Sequence, residues 1–181
     1  AKNNWSQNFL TWIEQQAAKD ELLADTLLLM LEQMKLLRQL LVKTERKLRE
    51  LRNGKYAVKV KLATSVPGIG ATTAMQFLLE AGDINRFKGF DALNDFIGFC
   101  PDTDSSGETD RDRGITTRRH KQLRSALIES AWQAIRVDPA LMNSYQELTK
   151  RMKGVHAIIR IARKLLRRLR AVLLTGIPYQ K

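Results

Sequence analysis

Residues 22–52 contain neither proline nor glycine, and their apolar side chains step by alternate threes and fours: Leu27, Met30, Met34, Leu37, Leu41, then Thr44, Leu48 and Leu51. Such spacing keeps one narrow stripe on one side of a helix, and when sustained it forms the seam of a coiled coil. A helix of about 30 residues is roughly 45 Å long at 1.5 Å per residue, more than a small domain can cover. A second stripe, Leu22, Leu29, Leu36 and Leu40, widens the apolar face in the first half. The expectation is a long helix that packs as a helical hairpin or across a homodimer or higher oligomer. Asn53-Gly54 predicts its C-terminal stop. Upstream, Trp5, Phe9, Trp12 and Ile13 predict one face of a short helix.

The rest of the chain also reads as helical. Val58, Val60 and Leu62 among lysines predict a short amphipathic helix over 55–64, and Ala71 to Ala81 a second that ends at Gly82. After a short helix near Phe90–Phe99 comes a polar stretch, about 100–117, read as a long loop. Helices then follow over 118–136, with Leu123, Leu127, Ile128 and Ala131 inward, and over 139–152, with Pro139 in the first turn. The last, 154–175, turns Ile158, Ile161, Ala162, Leu165, Leu166, Leu169 and Leu173 inward, and the tail after Gly176 is expected to fray. The fold class is all-α: a coiled-coil or dimerisation segment over 1–54, then a helical domain over 55–181.

Charge narrows the function. Thirty-one Lys and Arg against nineteen Asp and Glu give a net +12, a field that attracts polyanions, nucleic acid first. No apolar run approaches the length of a membrane span, so no membrane partner is expected. The one cysteine, Cys100, cannot form an internal disulfide and sits among Phe96, Ile97 and Phe99, as a small buried hydrophobe would. With only His120 and His156, no Cys/His metal site is available. No signal peptide is visible, and an opening at Ala1 rather than Met reads as a piece of a longer chain.

Three features carry chemistry. Val66-Pro67-Gly68-Ile69-Gly70 has the form of a helix-hairpin-helix (about 57–82), whose glycines would let a phosphate approach the backbone and the amides of the next helix start, Thr72 among them, while Ile69 anchors the turn. The alternative is a plain helix-to-helix turn. The last helix carries Arg160, Arg163, Lys164, Arg167, Arg168 and Arg170 with no acid between Lys150 and Lys181, so it can track a phosphate backbone or simply be a solvated face. Arg118, Arg119 and Lys121 extend the basic set. The polar stretch admits two chemistries. Asp102, Asp104, Glu108, Asp110 and Asp112 could hold a divalent metal. Or Ser105 or Ser106 could act as a nucleophile, with Arg111, Arg113, Arg118 and Arg119 steadying phosphoryl charge. A solvated loop of mixed charge is the third reading.

The order of Thr64-Ser65-Val66-Pro67-Gly68-Ile69-Gly70, Thr73-Ala74, Gly82-Asp83, Arg86-Phe87, Gly98-Phe99-Cys100-Pro101, Ser106-Gly107, Gly114-Ile115-Thr116, Leu123-Arg124 and Ala131 resembles the C-terminal domain of the IS-one-ten family of insertion-sequence transposases, also named after IS-one-sixteen and IS-nine-oh-two. The likeness runs from about residue 60 to 172. It implies a DNA recombinase that works through a serine-linked intermediate under a structured guide RNA, in the bacterial cytoplasm at the nucleoid. It assigns the nucleophile to Ser106, with Ser105 the adjacent alternative, and makes 22–52 the coiled-coil segment through which subunits meet. The family's acidic RuvC-like domain, which binds Mg²⁺, has no counterpart in these residues. The resemblance therefore implies no cofactor in this chain, and no catalysis by it alone. Two rival classes stand beside this reading: a non-catalytic helix-hairpin-helix module that binds DNA and dimerises, and a structural coiled-coil protein.

Overall fold

A computed structural model describes residues 6–17, 21–99, 101–106, 109–115 and 120–180; for 21–23, 101–106 and 109–115 it describes the backbone alone. Among the described residues the fold is all-α, carried by eight helices, with one β-hairpin set into it. The chain divides into two compact units, Ala1–Leu51 and Arg52–Lys181.

The first unit holds α1 (Gln7–Ala17) and most of α2 (Glu21–Asn53). The short helix expected from the aromatic spacing is present, and its interior is formed by other residues. Leu10 and Ala17 are buried, whereas Trp12 is 53% exposed and stacks on Phe9 at 5.8 Å between ring centroids. Trp5 lies outside the described residues. The inward side of α2 runs through Ala24, Leu27, Leu31 and Met34, spaced by three, four and three, and only Leu31 is fully buried. Glu14 of α1 accepts a hydrogen bond from Lys35 of α2 at 2.5 Å. Of the predicted seam, Met30 is 62% exposed and Leu37 and Leu41 each 58%, with Leu36 and Leu40 exposed beside them, whereas Leu48 and Leu51 are half-buried. Gly54 follows α2 without a left-handed φ.

The second unit is built around α8 (Gly154–Thr175), which packs against α3 (Ala57–Thr64), α5 (Phe90–Ile97), α6 (Lys121–Val137) and α7 (Pro139–Thr149). Its buried stripe, Ala157, Ile158, Ile161, Ala162, Leu165, Leu166, Leu169 and Val172, recurs every three or four residues. This is the period that one side of a helix requires. Leu173, expected inward, is half-buried because Val172 takes the last interior position. From the other side, α6 contributes Leu123, Leu127, Ala131, Ala134 and Ile135. Helix α4 (Ala71–Ala81) adds Met75, Phe77 and Leu78, and is followed by a 3₁₀ turn at Ile84–Arg86 that Asp83 caps through Asn85 N at 3.0 Å. That hydrogen bond, with a second from the Asn85 side chain and the charge of Lys59, holds the Asp83 carboxyl below its usual value against a small opposing effect of desolvation.

Two expectations are corrected. The polar stretch is not a loop throughout: Pro101–Ser106 (β1) and Thr109–Ile115 (β2) pair antiparallel, Ser106 with Thr109, Ser105 with Asp110, Asp104 with Arg111 and Thr103 with Asp112. An irregularity between Pro101 and Thr103 absorbs one extra residue of β2, as a bulge does. The tail is not frayed either. Tyr179 N donates to Ser65 Oγ at 2.8 Å, and the Arg168 guanidinium lies 4.7 Å from the Tyr179 ring centroid.

Candidate nucleic-acid interface

The turn between α3 and α4 does not use its glycines alike. Gly68 takes φ +87°, and a Cβ there would stand 2.5 Å from Ser130 O, 2.6 Å from Ala134 Cβ and 2.7 Å from Ala134 N. The close approach that requires glycine at this position is made by α6. Ile69 is buried, as an anchor should be. Gly70 begins α4 with φ −81° and nothing within 4 Å of a would-be Cβ. No side chain caps the helix at this end, and Thr72 is exposed. The first amides of α4 are therefore the part of the turn that faces outward, where orphan donors and the helix dipole favour an anion.

A second group lies at the opposite end of α4. The carboxylate of Glu80 meets His120 Nδ1 at 3.1 Å and accepts from Gln76 Nε2 at 2.9 Å. The His120 ring also packs 4.1 Å from that of Phe96, and Arg86 lies over both Phe87 and Phe96, at 4.5 and 4.8 Å. Arg124 donates to Gly98 O at 3.2 Å. Together these contacts tie α4, α5 and the start of α6 at the root of the β-hairpin. Lys121 is exposed at this root, while Arg118 and Arg119 lie outside the described residues. Along the axis of α4 the Gly70 end and the Glu80 end stand roughly 15 Å apart, so the structure does not gather the turn and Lys121 into one site.

Ser106 is the last residue of β1 and Ser105 its neighbour. Five residues beyond Pro101, at 3.2–3.4 Å each, place the end of the ribbon roughly 16 Å from its root. Arg111 pairs in register with Asp104, and Arg113 follows Asp112 in β2.

The basic face of α8 splits in two. Arg168 is not part of an open row: it donates to Asp138 Oδ2 at 2.5 Å, with only 20% of its side chain exposed. Asp138, 5% exposed, also caps α7 by accepting from Ala140 N and Leu141 N at 2.9 and 3.1 Å. Burial, the largest single influence, pushes its carboxyl up. The Arg168 guanidinium and the two amides outweigh it and hold the group below the usual value. Arg170 is half-buried, with its Nε enclosed, and the other four cations, Arg160, Arg163, Lys164 and Arg167, line a surface cleft of about 240 Å³ with Phe90 of α5 and Leu148 of α7. Lys164 Nζ donates to Ser144 Oγ at 2.9 Å, and the Arg167 guanidinium lies 4.4 Å from the Phe90 ring centroid. Sequence reasoning missed Phe90, Leu148 and Asp138. The first two belong to other helices, and Asp138 is 30 positions from the arginine it neutralises. Its place before Pro139 was the one available signal, that of a helix cap.

Among the described residues no three His, Cys, Asp or Glu side chains come together to hold a metal ion, and no helix is long and apolar enough to cross a membrane.

With this geometry in place, the likeness to known proteins can be stated. Residues 60–146, from the buried Val60 of α3 through the hairpin to α7, match the Transposase IS116/IS110/IS902 family. Over 118 residues the chain is 32% identical to the "Insertion element IS110 uncharacterized 43.6 kDa protein" of Streptomyces coelicolor, covering 65% of this chain and 29% of that one. Over 67 residues it is 39% identical to the "Transposase for insertion sequence element IS1111A" of Coxiella burnetii, covering 37% of this chain and 18% of that one. The aligned part thus spans less than a third of each relative's length. The matched segment points to the class of insertion-sequence transposases. The match over residues 60–146, together with these relatives, supports membership of the IS116/IS110/IS902 family.

Proposed function

We propose that this chain is the coiled-coil and strand-transfer portion of a guide-RNA-directed DNA transposase, with Ser106 as its nucleophile. The observation that carries the reading is the position of Ser106, last in β1 at the end of a two-stranded ribbon and inside the segment that matches the family. A hydroxyl at the end of such a ribbon can be delivered into a site built largely by another domain. In the proposed step the Ser106 oxygen bonds to a backbone phosphorus, the sugar oxygen leaves and takes a proton, and a phosphoserine ester holds the strand. Attack by a sugar hydroxyl of a second strand then releases the serine. Arg111 and Arg113 steady the charge of the pentavalent state. The Mg²⁺ expected of the family belongs to an acidic domain outside these residues, and no step is derived through it. The outward amides of α4 at Gly70 to Thr72, Lys121, and the α8 cations contact nucleic-acid backbone, while the exposed seam of α2 joins two copies.

The test uses the parent transposase with its element DNA and guide RNA, comparing wild type, Ser106→Ala and Ser105→Ala. Loss of both recombination and the covalent protein–DNA adduct in Ser106→Ala, with both retained in Ser105→Ala, is expected. Recombination that survives in Ser106→Ala overturns the serine mechanism. The uncapped α4 terminus favours the second reading, a non-catalytic clamp, under which every activity survives that substitution.

A further inference from the structure

We infer that the cleft between α5, α7 and α8 receives an unpaired nucleotide, its base stacked on the Arg167 guanidinium and its phosphate held by Arg160, Arg163 and Lys164. This rests on the reading of the α8 face as a nucleic-acid surface and makes it specific for a single strand.

The charge pattern asks for an anion. Residues 160, 163, 164 and 167 lie on one side of α8, where like charges three and four apart repel one another. Helix α8 holds no acid to relieve them. The nearest carboxylate on α7 in sequence, Glu147, is taken by Lys150 at 2.6 Å. Arg160 and Arg163 form no ion pair among the described residues.

The shape asks for one ring rather than a duplex. A duplex backbone runs along a convex, open row, whereas these cations surround a cleft of about 240 Å³ with an aromatic and an aliphatic wall. Arg167 is exposed yet already laid against Phe90 at 4.4 Å. The Phe90 ring thus supports the guanidinium while the Arg167 side chain stays open to solvent. Unstacked bases pack on guanidinium planes as on aromatic rings, and a pre-oriented plane loses less freedom on binding. Lys164, tied to Ser144 at 2.9 Å, fixes one ammonium at the α7 rim.

The experiment titrates the 181-residue chain with short fluorescein-labelled oligothymidylates: deoxy, ribo, an abasic strand of equal charge, and a duplex. Wild type is expected to bind the base-bearing strands about tenfold more tightly than the abasic one, the scale of one stacked base. The deoxy and ribo arms distinguish DNA from RNA as the source of the nucleotide. Arg167→Lys keeps the charge and removes the plane, and Phe90→Leu keeps the bulk and removes its support. Each should abolish that tenfold preference while leaving abasic and duplex affinities unchanged. Equal affinity for base-bearing and abasic strands, or a uniform loss on every strand in Arg167→Lys, overturns the inference. Arg167 is exposed, so if Phe90→Leu unfolds the lysine variant decides alone. The double variant Arg160→Gln/Arg163→Gln separates the two levels. A uniform loss with a shallower salt slope supports the nucleic-acid face whatever becomes of base preference. No change on any strand removes the face, and the nucleotide site with it.

Discussion

Replacing Gly68 by alanine should cost this protein far more than the same change two residues later. At Gly68 two penalties act together. A φ of +87° is strained for any residue with a Cβ, worth about 1–2 kcal/mol. The new methyl would also stand 2.5–2.7 Å from Ser130 O, Ala134 Cβ and Ala134 N. Two of those three are backbone atoms of α6 that cannot rotate away, so the turn must shift, at about 1–3 kcal/mol for an overpacked contact. The sum is about 2–5 kcal/mol, or a fall of roughly 5–20 °C in Tm for a domain of this size. Gly70→Ala meets nothing within 4 Å at an ordinary φ, and should change stability by no more than about 1 kcal/mol, the scale of a cap preference. Thermal unfolding followed by far-UV circular dichroism checks both. A Gly68→Ala protein that melts within a degree or two of wild type would refute the close packing of the turn on α6.

Asp138→Asn should destabilise the second unit by about 1.5–3 kcal/mol, because the α7 cap geometry survives but Arg168 loses a charge-assisted partner. Since the folded carboxyl titrates below its ordinary value of 3.8, its contribution is full above that value and is lost as pH falls through the depressed one. Denaturant titrations from pH 6 down to 2, each pH an approximate working point, should show an acid-induced loss in wild type that is smaller in the variant. Leu37→Lys with Leu41→Lys should abolish self-association measured by sedimentation, with helicity retained, because both side chains are 58% exposed in the single chain. Ser65→Ala removes the acceptor of Tyr179 N; the expected cost is about 1 kcal/mol, with faster amide exchange confined to the last residues.

What was legible in the sequence was whatever repeats with the period of a helix. The α8 stripe from Ile158 to Leu169 and, in α6, Leu123, Leu127 and Ala131 are buried where the spacing puts them, with Ile128 half-buried, since a helix that covers one face must place apolar groups every three or four residues. In α1 the aromatic spacing made the helix legible but not its interior: Leu10 and Ala17 are buried while Trp12 is not. The hairpin left no such trace. Its strands are Pro-Asp-Thr-Asp-Ser-Ser and Thr-Asp-Arg-Asp-Arg-Gly-Ile, residues depleted in strands and without apolar alternation, so the ladder is visible only once the two backbones are paired. In the candidate site the basic residues of α8 were legible, but their fates were not. Arg168 is neutralised from the α6–α7 junction, while Arg167 lies against a phenylalanine 77 positions earlier, and periodicity along one helix carries no information about either neighbour.

The two-stranded ribbon also limits how this family can change length at that point. Successive residues of a strand face opposite sides. Removing one residue from each strand would draw the end of the ribbon in by about 3.3 Å and turn whatever stands there to the other side. Removing two from each restores the facing at about 6.6 Å less reach. Inserted or deleted residues should therefore be tolerated here in even steps per strand, matched across the pair. The irregularity beside Pro101 is the one place where an odd residue is already absorbed, so a relative with an unmatched extra residue should carry it at the root of the ribbon and not near Ser106.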